Sequence, residues 1–138
     1  VDRGLAYSLA DVAEAHLQQS RIARAWLDLF EDIDVVICPA ASSTPFPHDQ
    51  WFVSEIDGEM METYMRWVGI TYLPTMALAC GIALPCGLDQ AGMPFGIQVL
   101  SAPGNDRLVA EVAKALESVL QCHDATRRPL PDLDSLRG

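Results

Sequence analysis

Residues Trp67 to Leu88 run for 22 positions without a charged side chain, apart from nothing but apolar, small and hydroxyl residues between them. Roughly 20 apolar residues are enough for a helix to span a bilayer, so the stretch has to be tested against that reading. Pro74 and Pro85, with Gly69, Gly81 and Gly87, stand inside it. A lone helix in lipid could not re-pair the backbone groups these residues free. The stretch is therefore expected to be a buried strand with flanking turns, and no membrane partner is expected. Such a segment needs a core around it. A chain near 150 residues hides about 70% of the surface its unfolded form exposes, and this one has 138.

Charge narrows the partners further. Nineteen acidic residues stand against nine basic ones, of which only Lys114 is a lysine, for a net charge of -10. Nucleic acid is excluded as an expectation, because phosphate backbones are neutralised by clustered Lys and Arg. Cys38, Cys80, Cys86 and Cys122 form no C-x-x-C pair, and most lie in apolar or helical segments, where free Cys acts as a small hydrophobe. A reducing, cytoplasmic setting without metal or cofactor is the expectation.

Along the chain, Ser8 followed by Asp11 fits a capping box, and Leu9, Val12, Ala13, Leu17, Ala23, Trp26, Leu27 and Phe30 recur at helical spacing. This predicts a helix over about 8–31. Val35 to Cys38 is an unbroken apolar run stopped by Pro39, as in a strand covered on both faces. Residues 39–50 read as loop, rich in Pro, Ser and Thr, and loops of that length are uncommon unless they cover something. Asp57-Gly58 suits a tight turn after Phe52 to Ile56. Met61, Tyr64, Met65 and Val68 predict a second short helix ending near Gly69. Strands follow near Ile82 to Leu84 and from Phe95 to Leu100. A final helix starts near Asp106, with Leu108, Val112, Leu116 and Val119 on one face. The polar residues 123–138 read as a tail, and no internal repeat is visible.

The residues themselves offer little catalytic chemistry. His16, His48 and His123 are scattered, with no i, i+4 pair to hold a metal. Ser42 and Ser43 follow a strand, where a nucleophile could stand, but no neighbouring motif supplies the base a serine needs, and a turn is the simpler reading.

The order of segments is more informative. Leu84-Pro85-Cys86-Gly87 is followed by Gly92-Met93-Pro94-Phe95-Gly96-Ile97-Gln98 and a closing helix, and Asp34-Val35-Val36-Ile37-Cys38-Pro39 stands upstream. Over about residues 8–121 this resembles the C-terminal portion of the amidase signature family. The resemblance implies an α/β fold, a mixed sheet flanked by helices, to which this chain gives about three strands and three helices over 1–122. It implies a parent enzyme that cleaves carboxamide C–N bonds through a serine acyl-enzyme, using a Ser-Ser-Lys set from an earlier part of a longer chain. Lys114 in the closing helix cannot stand in for that lysine, so the isolated chain is expected to be inactive. Its partners would be the N-terminal part of the same enzyme and a small amide. The loop after Pro39, with Trp67, Tyr72 and Met76, is the expected substrate-contacting region. The alternative is a stand-alone, non-catalytic module of the same fold that dimerises to cover its strand edges and apolar face.

Overall fold

The computed structural model describes residues 2–134. A four-residue helix α1 (Asp2–Leu5) precedes the long helix α2 (Leu9–Leu29). Ser8 caps α2 as the sequence predicts. The Asp11 N–H donates to Ser8 Oγ at 3.2 Å, and the Ser8 N–H returns a bond to Asp11 Oδ2 at 2.8 Å. The remaining elements are β1 (Val36–Pro39), the hairpin β2 (Glu55–Ile56) and β3 (Glu59–Met60), α3 (Tyr64–Trp67), α4 (Gly69–Met76), β4 (Cys80–Leu88), β5 (Pro94–Ser101) and α5 (Asp106–Leu120). Asp57 and Gly58 both take positive φ, 52° and 80°, which gives the two-residue turn its right twist.

The α/β architecture expected from the sequence is present. Its main sheet has the order β1-β5-β4, antiparallel throughout. Helix α5 covers one face, where Leu84, Val99, Val109 and Ala113 form the core with Ile82, Ile97, Val112 and Leu116 packed against them. Gly81 sits opposite Leu100, and a Cβ there would lie 2.6 Å from Leu100 Cδ2. Helix α4 stands over the other face, and a cavity of about 280 Å³ between them is lined by Gly81, Ala83, Gln98 and Leu100 of the sheet.

Three local expectations are corrected. First, β1 is an edge strand paired only with β5, and Ile37 is half exposed. Second, the helix expected over 61–69 is the shorter α3, Tyr64–Trp67, and a further helix α4 lies in the charge-free stretch whose pattern suggests strand and turns. Third, β4 runs well beyond Ile82–Leu84, because an irregularity between Pro85 and Leu88 absorbs the proline and glycine without ending the pairing. Among the described residues no helix is long and apolar enough to cross a membrane.

The tail expected over 123–138 is described as far as 134. Its first turn folds back: Thr126 Oγ1 donates to Leu120 O at 2.9 Å, and the Ala125–Thr126 backbone lies against Gly87. Gly87 has a φ of 76°, and a Cβ there would fall 2.1 Å from Ala125 O.

Helix α2 is the exception to the packing. None of its residues is buried, and Leu9, Leu17 and Leu27 of its apolar stripe are 85%, 55% and 49% exposed. The chain as a whole exposes 10330 Å². A folded monomer of its mass would expose roughly 7,100 Å² by surface scaling. The surplus means that this chain leaves more surface open than a folded monomer of its mass, the α2 leucines among it.

Two outcomes follow from these contacts. Gly87→Ala should expel the 124–130 segment and lower stability by about 1–3 kcal/mol, from both the strained φ and the backbone clash, as read by urea denaturation and by faster proteolysis after Leu120. At the α2 start, the bonds from the Ser8 side chain and backbone hold the Asp11 carboxyl below the usual carboxylate range. Its help to the helix is complete above the ordinary carboxylate pKa and is lost as pH falls through the lowered value. A helical signal that frays on acidification in the native chain, and frays less in Ser8→Ala, which keeps only the backbone bond, is the expected result in circular dichroism.

Candidate functional site

Helix α4 contains Pro74, which has no N–H to give the carbonyl four residues back, that of Ile70. Gln98 fills the gap. From the middle of β5, Gln98 Nε2 donates to Ile70 O at 3.2 Å and to Pro39 O at 3.0 Å. One side-chain amide therefore completes α4 and pins the end of β1. A glutamine in an apolar strand needs such partners, and the sequence motif that contains it finds its physical reason here.

The loop that leaves Pro39 is held on both sides. Ala40 N–H donates to Gly96 O at 2.9 Å. Across from it, Asp89 Oδ1 accepts from the N–H groups of Ala91 at 2.8 Å and Met93 at 2.9 Å, which fixes the turn between β4 and β5. Between loop and turn lies a cavity of about 300 Å³, walled by Ser42, Ser43, Thr44, Asp89, Phe95 and Gly96 among others. A second cavity of about 220 Å³ shares Ala41, Ser43, Thr44 and Pro94 with it and adds Phe46 and Trp67. The two adjoin each other at the carboxyl end of β1.

Of the three residues expected to contact substrate, Trp67 lines this site. Its ring packs edge-on against Phe46 at 5.5 Å and Tyr64 at 5.9 Å. Its Nε1 is buried and has no hydrogen-bond partner. Tyr72 and Met76 stand one turn apart on α4 and are not among the residues lining either cavity; the Met76 carbonyl accepts from Gln19 of α2 at 3.5 Å. The residues 39–50 read as a covering loop supply most of the wall. Phe46, Asp89 and Phe95 are not singled out by the sequence; the one available signal is Phe46 as the single aromatic in a long proline-rich loop.

Ser43 Oγ donates to the neighbouring Thr44 O at 3.2 Å, and no hydrogen bond joins Ser42 or Ser43 to a basic side chain among the described residues. Lys114 is exposed on α5. Among the described residues no three His, Cys, Asp or Glu side chains gather as metal ligands would.

With that geometry in view, comparison with known proteins is specific. A family model described as Amidase matches residues 5–110. The chain is 33% identical over 95 residues to a glutamyl-tRNA(Gln) amidotransferase subunit of Cyanothece sp., covering 69% of this chain and 18% of that protein. It is 29% identical over 133 residues to a fatty acid amide hydrolase of Medicago truncatula, covering 94% of this chain and 21% of that one. In three dimensions it matches the crystal structure of a bacterial aryl acylamidase of the amidase signature enzymes with a TM-score of 0.74 at 22% identity, over 94% of this chain and 28% of that chain, a likeness of fold. The chain thus spans about a fifth of the length of the curated relatives it matches.

Gln98→Leu should cost about 1–3 kcal/mol, because it leaves the Ile70 and Pro39 carbonyls without their donor. Adding Pro74→Ala restores an N–H for Ile70 and should recover part of the loss. Additive effects in the double variant, read by urea denaturation, would show that the glutamine is not completing the helix.

Proposed function

This chain belongs to the amidase family, and on that premise we propose that it is part of a longer hydrolase that cleaves the C–N bond of carboxamides. The family match over residues 5–110 carries this reading. In it, a serine outside this segment attacks the amide carbonyl carbon, and the C–N bond breaks as the leaving amine takes up a proton. Water then releases the acyl group from the serine. The second serine and the lysine base of the set also lie outside the segment.

The role left to this chain is to shape and wall the site. Gln98 holds the Pro39 end of one wall and α4 beside the other. The Ser42–Thr44 loop, Phe46 and Trp67 form the surface a substrate would meet, and Tyr72 and Met76 extend the proposed contact region along α4. The exposed α2 stripe and the surplus surface support an extensive partner in the rest of the same polypeptide.

Amine or ammonia release from simple carboxamides tests the reading. The 138-residue chain alone should release nothing above buffer, and turnover by it would overturn the placement of the catalytic set elsewhere. The longer protein, read in frame through a lysine and a Gly- and Ser-rich segment upstream, should hydrolyse them. Added hydroxylamine should divert part of its product to hydroxamate, the mark of an acyl-enzyme. A longer protein that cleaves no carboxamide would remove the proposed activity.

A further inference from the structure

The segment after α5 is folded into a compact turn. Thr126 Oγ1 donates to Leu120 O at 2.9 Å, and the N–H groups of Thr126 and Arg127 donate to His123 O at 3.1 and 2.9 Å. Arg127 also pairs with Asp124 at 3.2 Å. This turn lays the Ala125–Thr126 backbone on Gly87, which is buried although it stands next to the last residue of β4. The approach is close: a Cβ on Gly87 would lie 3.1 Å from Thr126 Cα.

The place touched is the weakest point of the β4–β5 pair. Pro85 stands opposite Gly96 and Leu88 opposite Pro94, so Cys86 and Gly87 together face Phe95 alone. Two residues against one is the count of a bulge, which interrupts the ladder. Each flanking pair contains a proline, and a proline gives the ladder no N–H. Beyond the bulge the hairpin tip is held by its own short-range bonds. Asp89 N–H donates to Met93 O at 2.8 Å, and the Ala91 and Met93 N–H groups donate to Asp89 Oδ1. A tip joined to the sheet through so few ladder bonds is a unit that can open without the core.

The tip is also a wall of the site. Asp89, Pro94 and Phe95 line the cavity they share with Ser42 to Thr44, whereas no described residue beyond α5 lines it. Leu88 lines both the hollow beneath the turn after α5 and the groove that holds Thr44, Asp89 and Phe95. From Gly87 to Asp89 the chain reaches about 7 Å at most. A support at Gly87 therefore acts on the wall at short range.

We propose that residues 121–127 are a brace: seated on Gly87, they hold the β4 bulge closed and with it the Asp89–Phe95 wall of the cavity. Tail and wall then share one equilibrium. With the tail docked, the hairpin tip stays closed and the cavity keeps its shape; with the tail released, the tip opens and the wall is lost. Coupling of this kind is reciprocal, so loosening the tip loosens the tail by the same factor. The brace shapes the site without placing a side chain in it, whatever reaction the site serves.

Amide hydrogen exchange of the 138-residue chain, followed residue by residue in proton–nitrogen NMR spectra, tests both directions. Thr126→Pro removes the two donors by which Thr126 holds the turn, and it lies outside the hairpin tip. With the Arg127 amide reporting release, the Asp89, Ala91 and Met93 amides should exchange about ten-fold faster, while those of Val99 and Val109 in the core keep their rates. Asp89→Ala removes the acceptor of Ala91 and Met93. The Thr126 and Arg127 amides, bonded to His123, should then exchange faster by a similar factor. A tail that loosens in Thr126→Pro with no change at the tip overturns the brace, as does a tip that loosens in Asp89→Ala with no change in the tail. Equal acceleration at Val99 and Val109 also overturns it, by placing tail, tip and core in one cooperative unit.

Discussion

A proline inside a helix leaves one carbonyl behind it without a partner, and in this chain the way that carbonyl is satisfied organises the structure. Pro74 frees Ile70 O, and Gln98 reaches across from β5 to meet it. The second proton of the same amide goes to Pro39 O. Ser101, fully buried at the end of β5, works in a similar way. Its hydroxyl donates to Asp34 O at 2.8 Å and accepts from Asn105 Nδ2 at 3.1 Å, and its carbonyl accepts from Trp26 Nε1 at 3.3 Å. Helices α2 and α4 and the start of α5 are thus each tied to the central strand through a polar group of Gln98 or Ser101. Apolar packing supplies the bulk of the core around Val99 and Val109, but it is non-directional. These few hydrogen bonds set the register in which the helices meet the sheet.

That arrangement has a consequence for the site. The loop after Pro39 and the α3–α4 segment are far apart in sequence, yet they share one side-chain amide as a common anchor. Phe46 from the first and Trp67 from the second meet at 5.5 Å because their supports are fixed to the same point. A surface built this way is stiffest at its base, near Gln98. It is most adaptable at the outer hairpin, where Trp51 and Met60 are open to solvent.

Much of this is legible where local chemistry and tertiary structure agree. The Ser8–Asp11 box, the Asp57-Gly58 turn and the amphipathic α5 are decided within a few residues, and each forms where its pattern stands. Helix α4 is not legible, because Pro74 argues locally against a helix and the residue that reverses the argument is Gln98, on another element. Strand β1 reads as doubly covered because Val35 to Cys38 is apolar without a break, while its place at the edge of the sheet is set by the pairing of β4 with β5. Trp67 can be named from its position in an aromatic segment. Its partner Phe46 cannot, since nothing in a proline-rich loop states which way it folds back.

Helix α2 carries an apolar stripe that the pattern of its residues predicts and that the described residues cover only toward its C-terminal end, leaving Leu9, Val12 and Leu17 exposed. Its stability is therefore a conditional quantity, set by whatever meets that stripe and by how often the two surfaces encounter each other. When the covering surface is on the same polypeptide, the encounter has a high effective concentration and needs only modest affinity. When it is not, the same contact depends on dilution. A covalent tether and a free complement can give the same fold with very different tolerance of breakage. For this reason a nick in the connecting chain would affect α2 before it affected the sheet.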